Sequence, residues 1–97
     1  FAFIGYLPID KLDRKKKIIE LEILSRKTKQ TQIFMETPYR NIQMFEALLN
    51  VCTKLTKLCI ASNISLHNEK ITTKTIGEWK TEKVDIHKKP TIFLIQA

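Results

Sequence analysis

The sequence predicts a single α/β domain, with a mixed sheet of about five strands and helices packed on it. Three observations predict this fold class. Short apolar runs alternate with segments whose apolar residues recur every three or four positions. These segments follow the order β-α-β-α-β-β-α-β, with no internal repeat or linker. A length of 97 residues, of which 43% are hydrophobic, suits one small domain with a modest core.

The chain opens with a predicted strand over residues 1–4, which Gly5 and the turn former Pro8 end. Phe1 and Phe3 alternate along this strand. Burial in the core is the favoured interpretation of this pair, and stacking on nucleic-acid bases is the alternative.

The first predicted helix is capped by Asp10 or Asp13 and runs to about Arg26. Its apolar residues form a broad face directed at the sheet, whereas charged residues such as Glu20 and Glu22 are predicted to be solvated. The apolar residues are Leu12, Ile18, Ile19, Leu21, Ile23 and Leu24.

The second strand is predicted at residues 31–35, and the second helix at residues 38–52. Thr37 has the side chain of a helix N-cap, and Pro38 suits the first helical position because its missing N–H has no partner to lose. A strand that leads directly into a capped helix leaves an edge of backbone facing open space. Ligands of α/β domains tend to bind at such edges.

The second half of the chain predicts three further strands and a short helix that carries Trp79. A polar segment that ends near Asn68 predicts a hairpin, so the sheet is expected to be mixed rather than all parallel. Pro90 opens the last strand. The strands are predicted at residues 57–61, 70–75 and 91–95, and the helix at residues 76–82.

The composition favours some classes of function and excludes others. Seventeen lysines and arginines against ten acidic residues give a net charge of +7, which favours a polyanionic partner and also promotes solubility. Two glycines are too few for the usual phosphate-binding loops, and no nucleophile elbow is present. No catalytic residue can be assigned from these patterns.

The cysteines and histidines predict neither a disulfide nor a metal site. Cys52 and Cys59 are expected to be small apolar side chains in a reducing compartment, which favours a cytoplasmic location. His67 and His87 lie far apart in polar segments, so no tetrahedral ligand set is complete. No apolar run approaches the ~20 residues that span a bilayer, so no membrane partner is expected.

Three segments of the chain, taken in order, carry a resemblance to a known family. The first is Gly5-Tyr6-Leu7-Pro8, followed by the basic stretch at residues 13–16. The second covers residues 33–40, and the third covers residues 59–69 with residues 75–79. Together they resemble the C-terminal domain of the tetrapyrrole methylases, a superfamily of S-adenosyl-L-methionine-dependent methyltransferases. Residues 33–40 are most similar to the Ile-Phe-Tyr-Glu-Ser-Pro-His-Arg motif of the branch that 2′-O-methylates small-subunit ribosomal RNA.

The resemblance implies a longer protein with two α/β domains and the cofactor in the cleft between them. Residues 1–97 would be the C-terminal domain, and the opening at Phe1, without a methionine, agrees with that expectation. The N-terminal domain with its glycine-rich cofactor loop would be the partner, the full-length protein would be a homodimer, and this part alone is expected to be inactive. The methyl acceptor would be ribosomal RNA ribose or a tetrapyrrole, with the charge slightly favouring RNA.

The resemblance also implies site residues. Met35 matches a position whose backbone lies near the adenine of the cofactor, and a turn after the third strand closes on the cofactor from the other side. The cofactor-binding residues would be Met35, Asn63, Ser65 and Leu66, and the residues facing or supporting the cleft would be Tyr6, Pro8, Glu36 and Arg40. Capping and a salt bridge at the helix start is the alternative role for Glu36 and Arg40. The alternative function of the whole chain is a non-catalytic α/β module that binds nucleic acid or protein.

Overall fold

The computed structural model describes residues 1–97 and has the predicted α/β fold. Its element order is the predicted one, with small shifts at the ends of the elements. The strands are β1 (Ala2–Tyr6), β2 (Gln32–Met35), β3 (Lys57–Ser62), β4 (Lys70–Thr75) and β5 (Thr91–Gln96), and the helices are α1 (Lys11–Thr28), α2 (Asn41–Val51) and α3 (Ile76–Trp79).

The five strands form one mixed sheet in the order β1-β2-β5-β3-β4. β1 pairs with β2 in parallel, whereas β5 is antiparallel to both β2 and β3, and β4 is antiparallel to β3. Strands β1, β2 and β3 therefore point the same way, and their carboxyl ends meet at one edge of the sheet, here called the carboxyl edge. Both crossovers, through α1 and α2, move in the same direction across the sheet, so right-handed connections place both helices on one face.

The core lies between this face of the sheet and the helices. Phe34 and Phe93 stack at its centre with their ring centroids 5.9 Å apart. Trp79 of α3 packs edge-on against Phe45 and donates its indole N–H to the carbonyl oxygen of Leu58 at 2.8 Å, so its polar atom is satisfied inside the core. Other fully buried apolar side chains are Ile18, Leu21, Met44, Leu48, Leu58, Ile76, Ile86 and Ile95.

The opposite face of the sheet carries no helix, and it is called here the bare face. Its side chains include Ile33, Leu94 and Cys59, which lie side by side across the three central strands. Phe3 continues this row on β1 but is 61% exposed, and Phe1 is 84% exposed. The prediction that these two phenylalanines are buried in the core is therefore wrong. Phe3 lies on the edge strand β1, and Phe1 precedes that strand.

Helix α1 buries a narrower apolar stripe than predicted. Ile18 and Leu21 are buried, but Leu12 and Ile23 are more than half exposed. The helix begins as predicted, because the Asp10 carboxylate accepts the backbone N–H of residue 13 at 3.0 Å. No helix of the chain is long and apolar enough to cross a lipid bilayer.

The prediction that Glu22 of α1 is solvated is also wrong, since this residue is 6% exposed. One oxygen of its carboxylate accepts hydrogen bonds from the backbone N–H of Thr53 at 2.8 Å and from the hydroxyl of Thr56 at 2.5 Å. These donors lie in the loop after α2. Glu22 therefore fixes that loop to α1 through hydrogen bonds rather than through an ion pair.

Candidate functional site

Every residue predicted for the cofactor or the cleft lies at or just beyond the carboxyl edge. Tyr6 ends β1 and is in register with Met35, which ends β2. The turn that contains Asn63 follows β3 directly and is therefore at the same edge. The three parallel strands thus bring together segments far apart in sequence, and the roles assigned to these residues stay predictions.

Glu36 is the first residue beyond β2 and is 4% exposed. Its Oε1 atom accepts the backbone N–H of Thr37 at 2.7 Å and lies 3.4 Å from Nε of Arg40. Glu36 therefore makes both the capping hydrogen bond and the salt bridge of the alternative role, but only through Oε1. The other oxygen, Oε2, is buried without any hydrogen-bond partner.

Thr37 is the N-cap residue and Pro38 the first residue of the helical segment, as predicted, but the segment begins as a 3-10 turn rather than as an α-helix. Residues Pro38–Arg40 form a single 3-10 turn before α2, and the Thr37 side chain makes no capping hydrogen bond. The backbone carbonyl of Thr37 instead accepts the N–H of Arg40 at 2.8 Å. Its hydroxyl is buried without a partner. Two neighbouring side chains at this edge, Glu36 and Thr37, thus each present an unsatisfied buried oxygen.

Asn41 is a structural residue of the site that sequence reasoning missed. It is fully buried, and its Nδ2 atom lies 2.9 Å from the carbonyl oxygen of Ile86, 2.6 Å from that of Lys89 and 3.1 Å from the hydroxyl of Thr91. It therefore ties the segment before β5 to the first turn of α2. The only signal in the sequence is a polar residue at the start of an apolar helix, which ordinarily indicates a solvent-facing cap.

The turn after β3 is held in an uncommon backbone conformation. Asn63 and Ser65 both have positive φ angles, 52° and 69°, a region that asparagine tolerates better than serine. The N–H of Asn63 donates to the carbonyl oxygen of Pro90 at 2.9 Å, and the N–H of Ser65 donates to the Glu69 carboxylate at 2.8 Å. Leu66 projects from this turn and is 53% exposed. Hydrogen bonds therefore hold this turn in place, and it exposes one apolar side chain, that of Leu66.

Two exposed tyrosines stand at the same edge. Tyr6 is 64% exposed and Tyr39 is 68% exposed. The ammonium group of Lys88 lies 5.7 Å from the centroid of the Tyr39 ring, within the range of a cation–π contact. Sequence reasoning gave Tyr39 no role.

No group of three or more histidine, cysteine, aspartate or glutamate side chains is arranged to hold a metal ion.

Comparison with known proteins adds a likeness in fold. No protein-family model matches the chain, and no curated protein matches it. The solved structure of the methyltransferase CobJ superposes with a TM-score of 0.58 and 14% identity, over 99% of this chain and 41% of CobJ. The cobalamin biosynthetic enzyme CbiF, a cobalt precorrin-4 methyltransferase, superposes with a TM-score of 0.58 and 14% identity, over 97% of this chain and 39% of CbiF.

The chain therefore has the fold of part of each of these two structures. The chain spans about two-fifths of the length of each of these two structures. Neither protein is named as acting on ribosomal RNA, so the similarity to CobJ and CbiF gives no support to the ribosomal RNA branch.

Proposed function

We propose that the chain forms one wall of the cofactor and substrate cleft of an S-adenosyl-L-methionine-dependent methyltransferase of the tetrapyrrole methylase type. The fold shared with CobJ and CbiF supports this proposal, as does the resemblance of residues 33–40 to a methylase motif. The proposal depends on one observation: the Oε2 atom of Glu36 is buried and has no hydrogen-bond partner. Glu36 directly follows the strand on which the resemblance places the adenine.

The polar atoms at the carboxyl edge fit this cofactor. A buried oxygen without a hydrogen-bond partner costs about 1–3 kcal/mol, so Glu36 Oε2 and the Thr37 hydroxyl favour a ligand that brings donors. S-adenosyl-L-methionine carries such donors on its ribose, its adenine and its amino group. Met35, which is partly exposed beside this pair, would supply the apolar contact that an adenine needs.

Each part of the edge then has a separate task. Met35 and the turn residues Asn63, Ser65 and Leu66 would bind the cofactor. The cofactor supplies an activated methyl group when it is bound, and the protein has only to align the acceptor with it, which needs no catalytic dyad. Tyr6, Pro8, Glu36 and Arg40 would line or support the cleft where the acceptor enters.

The second wall would come from an N-terminal domain of the same protein, since the chain spans about two-fifths of its structural neighbours. A tetrapyrrole and the ribose of ribosomal RNA are the two acceptors to consider. CbiF is named a cobalt precorrin-4 methyltransferase, which favours a tetrapyrrole. The net charge of +7 does not distinguish between the two acceptors, because both are anionic.

The test is a thermal-shift titration of the full-length protein with S-adenosylhomocysteine. At ten times the Kd, binding stabilises by about 1.4 kcal/mol. Glu36→Gln removes the charged acceptor and is expected to weaken binding at least tenfold. Glu20→Gln, at a side chain that is 64% exposed on α1, is the matched control and should bind as the native protein does.

Two outcomes would contradict the proposal. The first is the absence of any shift with S-adenosylhomocysteine in the full-length protein, which would favour the non-catalytic binding module. The second is an affinity that Glu36→Gln leaves unchanged, which would place the cofactor elsewhere.

A further inference from the structure

A groove of about 870 Å³ lies between the first turns of α1 and the adjacent face of α2. It begins at residues Ile9 and Asp10, shortly after Pro8, and α2 itself starts directly after Arg40. One end of the groove therefore lies near the carboxyl edge, and its other end reaches Val51 at the end of α2. None of the residues predicted for the cofactor or the cleft lines it.

Arg14 lines this groove and is the feature that needs an explanation. The residue is 7% exposed, its Nε atom is buried without a hydrogen-bond partner, and none of the four ion pairs in the structure involves it. A guanidinium group keeps its charge at any pH that the protein survives. Nε is the only atom of the guanidinium that is both buried and without a partner. Burying part of a charged group without a partner is unfavourable, and a bound anion offsets part of that cost.

Two acidic residues, Asp10 and Glu46, also line the groove, but neither pairs with Arg14. The Asp10 carboxylate is already engaged as the N-cap of α1. Glu46 is exposed on α2 and lies in no ion pair of the structure. The arrangement therefore leaves the guanidinium free to accept an external anion.

Further groups around Arg14 suit an oxyanion. Lys11 and Lys15 stand on the same turns of α1, and Gln43 and Asn50 contribute amide groups from α2. The groove also lies at the N-terminal end of an 18-residue helix, where the helix dipole favours negative charge. Arginine is the side chain best shaped to bind phosphate through two parallel hydrogen bonds.

We propose that the groove between α1 and α2 is a phosphate-binding site in which Arg14 is the principal ligand. The phosphate can belong to a free ion or to a phosphodiester, since both present the same oxygens to a guanidinium. This site needs no cofactor, so it stands or falls independently of the proposed methyltransferase cleft.

The first experiment measures thermal stability in phosphate and in chloride at equal ionic strength. Phosphate stabilises many proteins nonspecifically, so the decisive quantity is the difference between variants. Arg14→Met should lose the phosphate-specific rise in Tm, with binding at least tenfold weaker. Arg26→Met is the matched control, since Arg26 is an exposed arginine at the other end of the same helix, and it should keep the full rise.

The same variants separate a binding role from a structural one. If Arg14 is an unpaired charge awaiting a ligand, Arg14→Met in chloride should have a Tm equal to or above that of the native protein. A lower Tm in chloride together with an unchanged phosphate effect would overturn the proposal, as would a phosphate effect equal in all three proteins.

A second measurement does not depend on any variant. The Arg14 Nε–H is shielded from solvent, so its resonance is observable by NMR, and it should shift on titration with inorganic phosphate. An unmoved resonance would overturn the proposal. A parallel titration with a short single-stranded oligonucleotide distinguishes the sources, because tighter binding than inorganic phosphate identifies a phosphodiester and weaker binding identifies a free ion.

Discussion

The two glycines of the chain are expected to respond in opposite directions to the addition of one methyl group. Gly5 lies in β1 with φ at +86°, and no atom lies within 4 Å of the position that a Cβ would take. Gly5→Ala is therefore resisted only by the backbone conformation, which costs an L-residue roughly 1–2 kcal/mol. Gly77 lies in α3, where a Cβ would make ordinary contacts at 3.5 and 3.7 Å with Lys54. Gly77→Ala should stabilise by roughly 0.5–1 kcal/mol.

For a domain of this size, 1 kcal/mol corresponds to roughly 4–8 °C in Tm. Gly5→Ala should thus lower Tm by about 4–16 °C, and Gly77→Ala should raise it by about 2–8 °C. Scanning calorimetry of both variants under identical conditions measures the two shifts. Because each substitution adds the same methyl group, the pair controls for any general effect of side-chain size.

The position of Gly5 links this prediction to the candidate site. The pairing of β1 with β2 shifts register between Phe3 and Gly5, and this irregularity places Tyr6 opposite Met35. Relaxing the positive φ would move Tyr6 relative to the carboxyl edge. A neutral or stabilising Gly5→Ala would refute the reasoning, and so would a loss far beyond 2 kcal/mol, since the open space around Gly5 leaves no steric cause for it.

Two further predictions concern pH. Burial, and then the Glu22 carboxylate, raise the pKa of Cys52 from about 9 to about 12. The protonated thiol therefore contributes its full stabilisation to the folded state below pH 9, and this contribution is lost as the pH rises toward 12. Alkylation of Cys52 at pH 8.5 should be about three orders of magnitude slower in the native chain than in the chain unfolded by urea. Glu22→Gln should partly restore the alkylation rate of the native chain. Equal rates in the native and unfolded chains would contradict the raised pKa of Cys52. Thr75 and Glu78 form a capping box at the start of α3, in which each side chain accepts the backbone N–H of the other residue. Hydrogen bonds from the backbone N–H and then the hydroxyl of Thr75 lower the pKa of Glu78, so the capping box stabilises the fold at pH above about 4.5 and loses this contribution as the pH falls. Glu78→Gln should flatten the acid limb of an unfolding curve measured against pH, and an unchanged limb would argue against it.

Much of the fold follows from local patterns in the sequence. The alternation of apolar runs and helical stripes predicted each strand and helix, and the hairpin near Asn68 predicted that the sheet is mixed. The carboxyl edge was also predictable, because a strand that ends at Met35 and leads into a helix must open toward solvent there.

The wrong predictions depend on contacts between distant parts of the chain. Nothing near Phe3 in sequence shows that β1 is an edge strand or that one face of the sheet has no helix. Glu22 is buried because donors arrive from the loop after α2, and a helical pattern cannot reveal them. The 3-10 turn at Pro38, where Thr37 is the N-cap without a side-chain hydrogen bond, likewise becomes visible only in the folded chain. The same holds for the three acceptors around the side-chain nitrogen of Asn41.

The bare face of the sheet has a consequence for how the protein behaves at high concentration. The row of side chains from Phe3 through Leu94 to Thr73 contains no charge, while the molecule as a whole carries +7. At low ionic strength, electrostatic repulsion between the positively charged molecules keeps these apolar surfaces apart. Raising the salt from 0.1 to 1 M shortens the reach of that repulsion from about 10 Å to about 3 Å and leaves the hydrophobic attraction in place. The protein should therefore salt out early, and dilute buffer rather than concentrated salt is the condition in which it will stay dispersed.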